Sequence, residues 1–138
     1  MKAGGQGIKE SEATMKTIYV AGPISDQNPL QVLANINAGI EASAYLVSMG
    51  FAVFCPFLDF QYFLTKHGQY INKEMIQQNS LAFVDKCDVM LVLPRWKSSS
   101  GTKREAARAR SLGMPVYFDI DNLVRELCGS PTENAECG

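Results

Sequence analysis

This sequence has one histidine, no closely spaced pair of cysteines and almost no net charge. Its 138 residues carry a formal charge of −1 and a single histidine, His67. The four cysteines have neither CxxC spacing nor a histidine cluster near them; they are Cys55, Cys87, Cys128 and Cys137. This pattern argues against a metal site and predicts the reduced thiols of a cytoplasmic protein. The balance of charge gives no basis for binding a nucleic acid polymer or an acidic membrane surface.

Long apolar runs and spaced glycines are missing as well. No run approaches the roughly 20 apolar residues of a membrane span, so we expect no membrane partner. Gly22-Pro23 lacks the spaced glycines of a dinucleotide-binding loop. The sequence therefore predicts no cofactor.

The chain is expected to form one domain between two flexible ends. Residues 1–14 combine several glycines and charges without periodicity, which predicts a flexible leader. Residues 15–128 are long enough for a single hydrophobic core. Residues 129–138 are predicted to be a flexible tail.

Strands and helices alternate along this domain. Short runs rich in β-branched and aromatic residues predict strands at 17–21, 51–55, 89–93 and 116–120. Helical patterns occupy 28–49, 72–86, 102–112 and 122–128. This alternation predicts an α/β fold, a doubly wound and mainly parallel sheet of four or five strands with helices on both faces.

The first helix has apolar residues at helical spacing, which we interpret as its buried stripe. They are Leu33, Ile36, Ile40, Ala44 and Val47. The second helix has Met75, Ile76, Asn79, Ala82 and Phe83 on one side.

Ligands of a doubly wound sheet bind outside the carboxyl ends of its strands, where the strand order reverses. If the order is 2-1-3-4, the loops at 22–26 and 94–101 meet at that point. Gly22, Ser25, Ser99 and Glu105 would then surround one crevice.

The chain is organised around residues 88–105, which read as a buried strand, a serine-rich loop and a helix that begins near Gly101-Thr102. Two interpretations of Glu105 are open. It is a carboxylate kept ionised by the helix dipole at the mouth of the sheet, or it completes a capping box with Thr102. Trp96 either covers the edge of the core or stacks on a base. Asp59 is a candidate general acid, from a segment that could fold over the crevice.

Three motifs in this order resemble the nucleoside 2-deoxyribosyltransferase superfamily, which includes deoxynucleoside 5′-monophosphate N-glycosidases and small phage-type relatives. The motifs are Tyr19-Val20-Ala21-Gly22-Pro23-Ile24, the run from Cys87 to Leu93, and Ser99-Ser100-Gly101-Thr102-Lys103-Arg104-Glu105. The resemblance covers about residues 17–119. It implies a flavodoxin-like fold and cleavage or transfer at the N-glycosidic bond of a nucleoside or nucleotide.

The resemblance also implies roles for individual residues. Glu105 matches the family's nucleophile, Tyr19 a tyrosine beside it, and Ser99 a position that contacts the sugar or its 5′ substituent. The full set of residues expected to contact substrate is Gly22, Ser25, Asp59, Ser80, Trp96, Ser99 and Gly101.

Two positions depart from the family pattern. Ser80 stands where the family has a second carboxylate, and Ser25 where the glycosidases have a basic residue for phosphate. Either Asp59 or Asp85 supplies the missing acid, or the catalytic activity is weak or lost. The rival interpretation is a non-catalytic nucleotide-binding or sensing module on the same fold.

The aromatic segment 57–70 predicts a homodimer, with this segment or the helix at 72–86 at the interface. Exposing Phe57, Phe60, Tyr62 and Phe63 together would leave an apolar patch that a small monomer rarely tolerates.

Overall fold

A computed structural model describes residues 15–129, apart from the side chain of Phe60. The expected leader (1–14) and all but the first residue of the expected tail lie outside these residues. The strands are β1 (Thr17–Ala21), β2 (Ala52–Phe54), β3 (Val89–Val92) and β4 (Val116–Tyr117). The helices are α1 (Pro29–Ser48), α2 (Lys73–Val84), α3 (Ser100–Ser111) and α4 (Ile120–Cys128). Short 3-10 helices cover Pro56–Leu64, Gly68–Tyr70 and Trp96–Ser98.

The four strands form one sheet in the order β2-β1-β3-β4, and every pairing is parallel. The order reverses at β1, between β2 and β3, as the strand order 2-1-3-4 requires. The structure therefore confirms the predicted fold class, a doubly wound, flavodoxin-like α/β sheet. Of the four or five strands expected, residues 15–129 contain four.

Alternation along the central strands separates two hydrophobic cores. Ile18 and Val20 of β1 face a core with α1 and α4, which contribute Leu46 and Leu123. The intervening Tyr19 and Ala21 face a second core, which contains Val84 of α2 and Ala106 and Ala109 of α3. Successive side chains of a strand point to opposite faces, so helices cover both faces, as predicted.

Polar side chains fix where each helix begins. Asn28, Asn72, Ser99 and Asp119 accept hydrogen bonds from backbone amides of the first turns of α1, α2, α3 and α4, respectively. Such caps satisfy amides that have no partner within the helix. Gly50 and Gly113, with φ of 100° and 73°, follow the ends of α1 and α3, where a left-handed residue is favoured.

The predicted buried stripe of α1 is wrong. Leu33, Ile40 and Val47 are exposed, whereas Asn35, Gly39 and Leu46 are buried. The reason is steric: a Cβ on Gly39 would lie 2.6 Å from Cδ2 of Phe57, so only a glycine lets α1 approach that ring. The smallest residue of the helix, rather than the most apolar row, therefore determines which side packs inward.

The aromatic segment is anchored by Phe57, which is 1% exposed. Phe57 therefore belongs to the core and does not contribute to the apolar patch considered for a dimer interface. The ring packs between α1 and the loop after β1, because it contacts the positions of both Gly39 and Gly22. Tyr62 and Phe63 are exposed, as expected.

The cysteines differ in state. Cys55 and Cys87 are free, but Cys128 is disulfide-bonded, so the expectation of a reduced thiol is wrong at that position. No helix within residues 15–129 is both long and apolar enough to cross a membrane.

We expect Gly39→Ala to destabilise the protein by about 1–3 kcal/mol, because the added methyl group overpacks against Phe57. Helix propensity alone favours alanine by about 1 kcal/mol, so the two effects have opposite signs. Urea unfolding measures the difference. Phe57→Leu replaces the ring by a smaller side chain. The double variant with Gly39→Ala should therefore recover part of the lost unfolding free energy. A Gly39→Ala protein as stable as its parent would contradict this packing.

Candidate active site

A crevice of about 560 Å³ lies at the carboxyl end of the sheet, between the loops that follow β1 and β3. Gly22 and Ser25 line it from the first loop, and Ser98 and Ser99 from the second. The two loops therefore meet where the strand order reverses. The remaining lining residues come from the aromatic 3-10 segment, α2 and α3; those used below are Asp59, Phe63, Lys73, Gln77, Ser80, Gly101, Arg104 and Glu105.

The loop after β1 is held by a buried amide of α1. Asn35, which is 7% exposed, donates a hydrogen bond to the carbonyl of Ile24 over 3.2 Å. Its Oδ1 accepts from Gln31 at 2.8 Å and from Arg95 at 3.3 Å. The polar residue on the inner side of α1 thus links both loops at the rim of the crevice.

Glu105 points into the protein from α3 and does not cap the helix. The cap is Ser99, whose Oγ accepts a hydrogen bond from the amide of Thr102 at 3.1 Å. Glu105 is the sixth residue of the helix, one turn beyond the position that a capping box requires. The capping-box interpretation is therefore wrong, and the carboxyl group is available to the crevice.

Tyr19 holds this carboxyl group from the sheet. Its hydroxyl donates a hydrogen bond to Oε2 of Glu105 over 2.9 Å, and the tyrosine side chain is fully buried. Ala106 and Ala109 of α3 pack in the core of the same face, where small side chains let the helix approach β1 closely. Tyr19 is not among the residues that line the crevice, so it orients Glu105 from behind.

Burial dominates the electrostatics of Glu105. It raises the pKa of the carboxyl group from an ordinary 4.5 to about 7, and the nearby charge of Asp59 acts in the same direction. Hydrogen bonds from Tyr19 and Gln77 oppose this shift. The helix dipole does not offset this effect of burial, because the dipole acts within the first turn and Glu105 lies beyond it. The carboxyl group is therefore harder to ionise than the sequence led us to expect.

Asp59 is a second buried carboxyl group in the crevice. It is 9% exposed, and its Oδ2 has no hydrogen-bond partner within residues 15–129. Burial raises the pKa of this carboxyl group. Since a buried polar atom without a partner is costly, an unpaired carboxyl oxygen at a crevice is a feature that a bound ligand would satisfy.

The other expected contact residues lie mostly in the crevice. Gly22, Ser25, Ser80, Ser99 and Gly101 all line it. Ser80 is 3% exposed, and its hydroxyl group interacts with that of Tyr19. This interaction lowers the pKa of Tyr19. Burial and the charge of Glu105 raise that pKa by more, so it lies above its ordinary value. A Cβ on Gly101 would lie 3.0 Å from Oε1 of Gln77, so glycine permits the close approach of α3 to α2.

Trp96 does not line the crevice. Its ring packs against Phe118 with centroids 5.3 Å apart, at the edge of the second core. Of the two interpretations of this residue, its position favours the structural one. Asp85, the other candidate acid, forms an ion pair with Arg108 at 2.7 Å and is likewise absent from the crevice.

Gln77 is a site residue that sequence reasoning missed. It lies one turn before Ser80 on α2 and bonds to Glu105. The signal was available in the spacing, because residues three apart on a helix share a face, and Ser80 was already a candidate. Lys73 and Arg104 also line the crevice and bring two cations to it.

The architecture defines a doubly wound α/β protein with a crevice at the switch point. Within that class, residues 16–118 match the family model described as Domain of unknown function (DUF4406), and the chain belongs to this family. No curated protein matches the chain.

A solved structure, described as a conserved protein from Enterococcus faecalis V583, is similar in fold. It superposes with a TM-score of 0.58 at 20% sequence identity, over 75% of this chain. The chain spans 62% of the length of that protein. At this identity the similarity concerns the fold alone.

We expect Glu105→Gln to remove a pH dependence of stability. The raised pKa stabilises the folded protein fully below pH 4.5, and this contribution is lost as pH rises through about 7. The shift corresponds to about 3 kcal/mol. The variant should therefore unfold at higher denaturant concentration than its parent at pH 8 but not at pH 4.

The matched control is Glu74→Gln, which removes an exposed carboxylate from the same crevice. Its unfolding free energy should follow that of the parent from pH 4 to pH 8. If the Glu105→Gln curve does so too, Glu105 does not titrate as a buried group.

Proposed function

We propose that this protein cleaves or transfers the N-glycosidic bond of a (deoxy)nucleoside or nucleoside 5′-monophosphate, with Glu105 as nucleophile. The observation that carries the proposal is the pair of buried carboxyl groups, Glu105 and Asp59, in one serine-lined crevice. Two carboxyl groups at one crevice, one to act as nucleophile and one as acid, are the minimum equipment for displacement at an anomeric carbon. The family resemblance of the motifs around Tyr19 and Glu105 supports the same reaction.

In the first step the ionised carboxylate of Glu105 attacks the anomeric carbon. The C–N bond breaks, its electron pair stays on the base, and Asp59 in its acid form donates a proton to the base. The sugar is then bound to Glu105 as an ester. Tyr19 positions the nucleophile through its hydrogen bond to Oε2 of Glu105.

In the second step the ester is opened. A water molecule attacks the anomeric carbon while the Asp59 carboxylate takes its proton, which frees the sugar and restores Glu105. If a second base attacks instead of water, the same site acts as a transferase. Asp59 thereby replaces the carboxylate that the family pattern leads one to expect at Ser80.

The polar lining supports a sugar with an anionic substituent. Ser99 offers its hydroxyl group at the N-terminus of α3, where the helix dipole favours anions, whereas the Ser98 hydroxyl donates to the carbonyl of Arg95. Lys73 and Arg104 supply positive charge at the same crevice. These cations compensate for Ser25, which stands where a basic residue was expected. We further propose a cytoplasmic setting, where nucleotides are abundant, and no nucleic acid polymer as substrate.

A non-catalytic nucleotide-binding module is the second candidate, and Ser80 favours it. A buried serine cannot supply the proton of a carboxylic acid. In this case the crevice binds the nucleotide while Glu105 and Asp59 accept hydrogen bonds from it, and no base is released.

Glu105→Gln should lower base release by a factor on the order of 10³ or more. The amide is nearly isosteric but cannot act as an anionic nucleophile. Chromatography of free base from a panel of nucleosides and 5′-monophosphates measures the loss, and calorimetry should show that binding persists. Unchanged base release in Glu105→Gln would remove this residue from the mechanism, and an inactive parent that binds nucleotides would favour the module.

Asp59→Asn should lower base release by about 10²–10⁴-fold, but only for bases that leave as protonated species. A glycoside whose leaving group departs as a stable anion, such as 4-nitrophenolate, should release it at nearly the parental rate in the first turnover, before Asp59 acts as base on water. Glu105→Gln should lose both activities. Equal first-turnover losses on both substrates in Asp59→Asn would contradict the role of Asp59 as acid.

A further inference from the structure

Helix α1 has a second apolar row on its outer side. This row, here called the outer seam, consists of Leu30, Leu33, Asn37, Ile40, Ala44 and Val47, and all six residues are exposed. The exposed fractions of its four large apolar residues range from 47% to 73%. The inner side of the same helix is separately filled by Asn35, Gly39 and Leu46. A surface helix of a monomer normally has one apolar stripe rather than two.

The spacing of the outer seam is typical of helix–helix contact. Its members alternate three and four residues apart through nearly three heptads, which is the 3.5-residue period of paired helices. The inner side does not share this row, since α1 packs inward on the sheet and on Phe57. Within residues 15–129, the outer seam therefore has a packing pattern without a packing partner.

The near absence of charge on α1 favours a second copy of this helix as the partner of the outer seam. Among the 20 residues of the helix only Glu41 is charged, and it lies beside the outer seam rather than in it. A charged partner would find no complement here, whereas two such helices meet without repulsion. Asn37 lies near the middle of the row, and a single polar residue at such a position specifies register in paired helices.

The dimensions of this surface also fit a dimer. A 20-residue helix is about 30 Å long, and a standard interface buries about 800 Å² on each partner. The 3-10 segment Pro56–Leu64 packs against α1 and adds the exposed Leu58 and Tyr62. Together they give a symmetric contact a helix length of about 30 Å and further apolar side chains to bury.

We propose that the outer seam of α1 is the interface of a homodimer, in which it packs on the same seam of a second copy across a two-fold axis. This assigns the contact to α1, whereas the aromatic segment and α2 were the expected sites. The proposal is independent of whether the crevice is catalytic.

The full chain should have the mass of a dimer by light scattering at micromolar concentration. Ile40→Glu should weaken association at least 100-fold and give a monomer with unchanged circular dichroism, since Ile40 is already exposed in the protomer. Leu112→Glu is the matched control, because Leu112 is also 47% exposed but lies at the end of α3. This variant should remain dimeric.

A complementation experiment tests whether the outer seam of one copy packs on the outer seam of the other. Ile40→Lys alone should also be monomeric, but an equimolar mixture with Ile40→Glu should form a heterodimer, because the interface then holds one charge of each sign instead of two of the same sign. A monomeric parent, a dimeric Ile40→Glu protein, or a mixture that stays monomeric would each overturn the proposal. Ile40→Glu that instead lowers the melting temperature of a monomeric chain would indicate that another part of the same chain covers the seam.

Discussion

The hydrogen bond between Tyr19 and Glu105 is the contact on which the arrangement of the site depends. It joins the central strand β1 to α3 across the second core, and it requires the helix to lie close to the sheet. Ala106 and Ala109 make that approach possible. The same approach removes Glu105 from water, which raises its pKa to about 7. The close approach of α3 to the sheet therefore determines both the packing and the raised pKa at this position. Because burial disfavours the charged form, an ionised Glu105 lowers the stability of the folded protein.

Polar residues in the crevice follow from the position of α2 beside α3. The side of α2 that faces the site carries Gln77 and Ser80, while Val84 enters the core further along. The inner side of α2 is not uniformly apolar, because part of it lines the crevice instead of the core. Gln77 was missed for this reason, although its spacing from Ser80 places both on one face.

Much of the fold could be predicted from local patterns. β1 has the predicted bounds, the other strands lie within the predicted runs, and the order of the sheet agrees with the one that brings the two loops together. The meeting of Gly22, Ser25, Ser99 and Glu105 then follows from parallel topology alone. By contrast, the inner side of α1 was assigned to the wrong row. Both rows are apolar enough to pack, and the choice between them depends on Phe57, which reaches α1 from a different segment.

The sequence by itself determined the alternation of strands and helices and the class of the sheet, because these depend on residues close together in the chain. Only the tertiary structure decided which side of α1 faces inward and that Asp59 has an unpaired oxygen. It also decided the pKa of Glu105. These properties depend on burial and on atoms contributed by distant segments. The residue pattern within one helix or strand does not show which distant residues will surround it.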